Sequence, residues 1–115
     1  MTDFILIFRL NKKADLKPSP EQIKERMDWF GNLMKQDKVA DKGNTLSPTG
    51  AKTIHSDKSV TNIPHSEGEE IVTGYVVIQA ETADEAVEIA KANPIFKIGG
   101  SVEVREIVKF IKGND

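Results

Sequence analysis

His65 and Glu67 stand two residues apart, so in extended backbone their side chains project to the same side. Joined by His55 or Asp41, they would offer mixed nitrogen and oxygen ligands to a metal, or an acid–base pair for proton transfer. The spacing matches no established metal motif, and the expectation is no metal and no cofactor. Polar side chains on a surface hairpin are the plain alternative. Arg9 interrupts an apolar run and shares a strand face with Ile5 and Ile7. A cation there needs a partner, either an anionic ligand or a carboxylate such as Glu103. Trp29 lies about 130° around a helix from the stripe Ile23, Met27, Phe30 and Met34. That offset predicts a tryptophan off the core face, either at a pocket mouth or protomer contact or lying flat over its neighbours. Tyr75 reads as a core or interface aromatic. The candidate ligand-binding set is therefore Arg9, Trp29, Asp41, His65 and Tyr75, with His65, His55 and Glu67 as candidate catalytic groups.

Other chemistries are absent from the pattern. The chain has no cysteine, hence no thiol nucleophile and no disulfide. Its serines lack a recognisable histidine and acid context. Gly99-Gly100 is too bare for a phosphate loop, and Glu67, Glu69 and Glu70 read as a solvated loop. A formal charge of -2, with lysines scattered, leaves no electrostatic footprint for nucleic acid. Met1-Thr2-Asp3-Phe4 lacks a basic leader region and the apolar run after it is short, so no membrane association and a cytoplasmic location are expected.

The elements that must position these residues follow from periodicity. Phe4 to Leu10 is apolar throughout except for Arg9, as a strand buried on both faces would be, and Ile71 to Ala80 is a second such strand. Asn11 to Pro18 is polar loop. Ser19-Pro20-Glu21-Gln22 is a capping box with proline in the first turn, opening a helix that fades between Asp37 and Lys42. Ser47-Pro48-Thr49-Gly50 suits a type I turn, and Ala51 to His55 with Ser59 to Ile63 predicts a short hairpin. Thr82-Ala83-Asp84-Glu85 opens a second helix, with Ala83, Ala86, Val87 and Ala90 on one side and Asn93-Pro94 as its stop. Ser101 to Val108 is the last strand. The order is α+β, a ferredoxin-like βαββαβ antiparallel sheet with two helices on one face and an extra central hairpin, in one domain over residues 1–115. Two helices cover only one face. Either Ile5 and Ile7 or Phe4, Leu6 and Phe8 are then left facing water, and the expectation is a homodimer closed face to face as a dimeric α+β barrel.

With that order in place, several segments resemble the YCII-related family, in its branch named for a DGPF tetrapeptide. Gly43-Asn44-Thr45-Leu46-Ser47-Pro48 is similar to a Gly-x-Leu-x-Pro stretch, one residue longer. Asn62-Ile63-Pro64-His65 lies where the tetrapeptide belongs, retaining only Pro64, and is followed by Glu67, Glu70 and Thr73-Gly74-Tyr75. Gly99 to Arg105 resembles the closing Gly-Gly-x-Val-Glu-Val-Arg. The resemblance implies a dimeric ferredoxin-like barrel with a cleft. Other branches are associated with a histidine on the first helix and an aspartate in an Asp-Pro-Phe segment. Here the first helix has no histidine, and the later segment reads Asn93-Pro94-Ile95-Phe96, whose asparagine cannot act as a base.

The functional expectation is a homodimer binding an unknown small molecule, with enzymatic activity left open. A regulatory or structural protein-interaction module is the alternative. RNA binding shares the element order, and Ile7-Phe8-Arg9-Leu10 and Thr73-Gly74-Tyr75-Val76 superficially resemble its strand motifs. Val77, where a stacking aromatic is expected, and the acidic balance argue against it.

Overall fold

Two long apolar strands, Thr2–Asn11 and Glu70–Ala80, lie side by side at the centre of one antiparallel sheet. The computed structural model describes residues 1–13 and 18–109. Along the chain run β1 (Thr2–Asn11), α1 (Pro20–Lys35), β2 (Val39–Thr45), β3 (Thr53–Ile54), β4 (Val60–Thr61), β5 (Ser66–Glu67), β6 (Glu70–Ala80), α2 (Ala83–Lys91), a 3₁₀ turn (Pro94–Ile98) and β7 (Ser101–Glu106). The sheet order is β2-β6-β1-β7, with β5 folded back on β6, while β3 and β4 form a separate two-stranded ribbon. This is the ferredoxin-like arrangement with the extra hairpin. Of the polar loop expected from Asn11 to Pro18, residues 14–17 lie outside the described residues.

Strand periodicity divides the sheet into two faces. Phe4, Leu6 and Leu10 of β1 are buried with Val76, Ile78 and Ala80 of β6 beneath the helices. Ile5 pairs with Val77 and Ile7 with Tyr75 on the opposite face, where all four are half-buried. The face without helices is therefore the Ile5 and Ile7 face. Its apolar centre is rimmed by Asp3, Arg9, Gln79, Glu103 and Arg105.

Local chemistry sets the helix starts. Ser19 Oγ accepts from the Gln22 amide, and Gln22 Oε1 accepts from the Ser19 amide in return. Thr82 caps α2 through the Glu85 amide, but the Glu85 carboxylate accepts from Glu81 rather than from Thr82, so only half of that box forms. In the hairpin turn, the Ser59 hydroxyl and amide both donate to Asp57 and hold its carboxyl below the usual carboxylate range.

Three expectations are corrected. The buried face of α1 carries Trp29, Phe30 and Leu33, whereas Ile23, Met27 and Met34 are exposed. Trp29 packs against the core instead of lying off it. On α2, Ile89 joins Ala86 and Ala90 against the core, and Val87 faces outward. Finally, the segment expected to be fading helix and turn is β2, which pairs with β6 from Val39↔Ile78 to Thr45↔Gly74 through two irregularities. Gly43 sits in the second of them at φ 69°, where an added Cβ would lie 1.7 Å from the Tyr75 carbonyl oxygen.

Truncating the fully buried Leu6 to alanine is expected to cost about 2–5 kcal/mol in urea unfolding, against less than about 0.5 kcal/mol for Met27→Ala on the exposed side of α1. Gly43→Ala should destabilise by more than about 1 kcal/mol, because strain at positive φ adds to the clash with Tyr75.

Candidate functional site

The helix-covered face is not sealed along its whole length. Gly74 pairs with Phe8 on that face and contributes no side chain, so the sheet floor drops beside the Phe8 ring. A Cβ at Gly74 would also press within 3.0 Å of the Asn44 carbonyl oxygen of β2. Above this floor stands α1, held to the 3₁₀ turn by the Lys97–Glu25 ion pair. The result is a cleft of about 550 Å³ between α1, β2, β6 and the Asn93–Ile98 segment, within the roughly 300–1,000 Å³ usual for ligand sites.

Aromatic rings make its hard walls. Phe8 meets Trp29 edge to face, with centroids 6.3 Å apart and planes at 82°. The Trp29 indole N–H donates to the Ile89 carbonyl of α2 at 3.0 Å, which fixes the ring across the gap between the helices. Phe30, Leu10, Leu46, Pro48 and Ile95 extend the apolar surface. Gln22 and Arg26 come from the same turns of α1, and Lys42 and Asn44 from the bulged part of β2.

Asn93 is the polar group built most firmly into this wall. It is 6% exposed. Its carboxamide oxygen accepts from the Ile95 amide at 2.8 Å and caps the 3₁₀ turn. That bond assigns the oxygen, and the Nδ2 hydrogens have no acceptor among the described residues.

The residues singled out in the sequence fall in different places. Trp29 and Tyr75 line the cleft. By register, however, the Tyr75 side chain shares the Ile7 face, where its hydroxyl accepts from Asn44 Nδ2 at 3.0 Å. Arg9 lies on that same face, 2.7 Å from the Glu103 carboxylate. Asp41 accepts from the Gly43 amide at 2.7 Å and stabilises the β2 bulge. His55 contacts the Thr61 hydroxyl across the β3–β4 ribbon, and His65 is exposed just before β5. The Glu67 side chain lies outside the described residues. Among the described residues no three histidine, aspartate or glutamate side chains converge to hold a metal. In the sequence Gln22 is legible only as a capping residue and Asn93 as a helix stop and a replaced base, while Arg26 and Lys42 give no site signal. Polar residues on the inner face of a helix look, by hydropathy, like its solvent side.

Known proteins now bear on this geometry. A family model described as the YCII-related domain matches residues 4–111. No functionally curated protein matches the chain. Among solved structures, a 5-chloro-2-hydroxyhydroquinone dehydrochlorinase from Burkholderia phenoliruptrix AC1100, in complex with 2,5-dihydroxybenzoquinone, is similar over 97% of this chain and 98% of its own. Its TM-score is 0.55 at 16% sequence identity, a likeness of fold. With its family model spanning nearly the full length and its ferredoxin-like topology shared with that enzyme, the chain belongs to the YCII-related family.

Proposed function

We propose that this protein binds a planar small molecule in the cleft between α1 and the β2–β6 edge, and does so as a homodimer. The observation that carries the reading is the half-buried Phe8–Trp29 pair, held open over a floor that Gly74 leaves bare. A ring packed against that pair exchanges water for aromatic surface, each aromatic contact adding about 0.5–1.5 kcal/mol beyond area burial. The dehydrochlorinase of the same fold is in complex with 2,5-dihydroxybenzoquinone, a flat six-membered ring, which supports a ligand of that size. Among the described lining residues the formally charged side chains are Arg26 and Lys42. Those groups suit holding a ligand, and we assign no reaction to the cleft.

The homodimer is supported by the opposite face. Ile5, Ile7, Tyr75 and Val77 form a contiguous apolar centre with a polar rim, the usual anatomy of a protein interface. Covering it at about 25 cal/mol per Å² would offset the cost of association only over several hundred Å², which two sheets packed face to face supply. We place the protein in the DGPF branch on its closing Gly99–Arg105 segment, and in the cytoplasm, where a chain without cysteine loses nothing to reduction. A second reading, a protein-interaction module, is favoured by one feature. The β3–β4 ribbon stands apart from the main sheet with Ile54, Val60 and Ile63 exposed. Recovery of a stable heteromeric partner that is lost in Ile54→Ser would favour it.

Trp29 is the sole tryptophan, so its fluorescence reports the cleft directly. Titration with 2,5-dihydroxybenzoquinone, corrected for its absorbance, is expected to quench Trp29 saturably, and Phe8→Ala should weaken the affinity about 3–10-fold. A linear, unsaturable response would contradict the reading. Sedimentation velocity at micromolar concentration should show a dimer for the natural chain and a folded monomer for Ile7→Lys. A monomer in both would remove the homodimer.

A further inference from the structure

We propose that the ligand is a planar aromatic anion, a ring bearing a carboxylate or a comparable charged oxygen, received by Asn93 Nδ2 with Arg26 and Lys42 supplying the positive field. This rests on the cleft reading above and names its ligand class.

The first argument is the unspent donor. A buried carboxamide with its oxygen bonded and its nitrogen unpaired is costly unless a ligand or a water completes it. Asn93 is in that state: the Ile95 amide occupies its oxygen, its nitrogen lacks an acceptor among the described residues, and it lines the cleft. The complement of an N–H donor in a largely apolar wall is an oxygen acceptor on the ligand.

The second argument is the sign of the charge. The chain as a whole is acidic, with 18 carboxylates to 16 lysines and arginines. Yet the charged side chains among the described lining residues, Arg26 and Lys42, are both cations. Of the acids of α1, Glu25 pairs with Lys97 and Asp28 with Lys24 at 2.9 Å, and Glu21 is not among the residues that line the cleft. Asp41, next to Lys42, is turned onto the Gly43 amide. A neutral aromatic ligand would use the Phe8–Trp29 wall but leave both the Asn93 donor and this field unanswered. A cation would be repelled. An aromatic anion satisfies all three.

Calorimetric titration of the full chain with 2-naphthoate and with 2-naphthamide, two ligands of one shape differing in charge, separates the possibilities. The carboxylate is expected to bind at least about tenfold more tightly at low salt, with the advantage shrinking as salt rises. Arg26→Gln, at an exposed helix position, should cut naphthoate affinity several-fold and naphthamide affinity far less. Asn93→Asp keeps an oxygen to cap the 3₁₀ turn and replaces the donor with a second oxygen, with circular dichroism to check that the fold is retained. This substitution should abolish the preference for naphthoate. Equal affinity for the two ligands, or a preference untouched by both substitutions, would overturn the anion assignment while leaving the cleft as a binding site. Binding of neither ligand, together with no quenching of Trp29 by the quinone, would remove the cleft reading itself.

Discussion

The antiparallel pairing of β1 with β6 is the constraint from which the other features descend. Because strand side chains alternate, one register simultaneously sends Phe4, Leu6 and Leu10 toward the helices and Ile5, Ile7 and Arg9 away from them. A slip by one residue would exchange the two sets. Phe4 and Leu6 form the core with Val76, Ile78 and the small residues Ala86 and Ala90, whose size lets α2 lie close on the sheet. The opposite set makes an apolar field with Arg9 paired to Glu103 at its edge. The same register lays Gly74 against Phe8, so the cleft and the uncovered apolar face are two consequences of one alignment.

Within the cleft, rigidity and incompleteness occur together. Trp29 is fastened by its indole N–H to the carbonyl of Ile89, and the 3₁₀ turn is fastened to α1 by Lys97 and Glu25. Such bracing keeps the aromatic wall from collapsing onto the floor beside Gly74. Asn93 is equally well fixed through its oxygen, but its nitrogen is not used by the described protein. A preorganised donor in an apolar wall adds specificity at little reorganisation cost when a matching acceptor arrives. In the proposed ligand site the rings would set shape, and Asn93 and Arg26 would set polarity.

Much of this was legible in the residues, and the failures have physical causes. The Phe4–Leu10 and Ile71–Ala80 runs and the Ser19 capping box identified the central strands and the start of α1, because those signals are local and strong. The face of α1 was misjudged because that helix carries two apolar stripes roughly 100° apart. The stripe with Trp29 and Leu33 won because it reaches Ile89 and the sheet floor, at the expense of exposing Met27. β2 was illegible for the opposite reason. Val39 to Thr45 is polar, bulged and dependent on a positive-φ glycine, so its strand character comes from the backbone of β6 rather than from its own side chains. The cleft residues Gln22, Arg26 and Lys42 were hidden in both of those segments. Asn93 looked like a lost base until its burial and its unpaired nitrogen were visible.

Backbone amide chemical-shift mapping during titration with an aromatic carboxylate should give saturable shifts confined to Gln22–Phe30, Lys42–Leu46, Thr73–Val76 and Asn93–Ile95, with the Asn93 side-chain amide among the largest. Shifts centred instead on Ile5, Ile7 and Val77, or on the β3–β4 ribbon with the cleft unmoved, would contradict the cleft as the binding site.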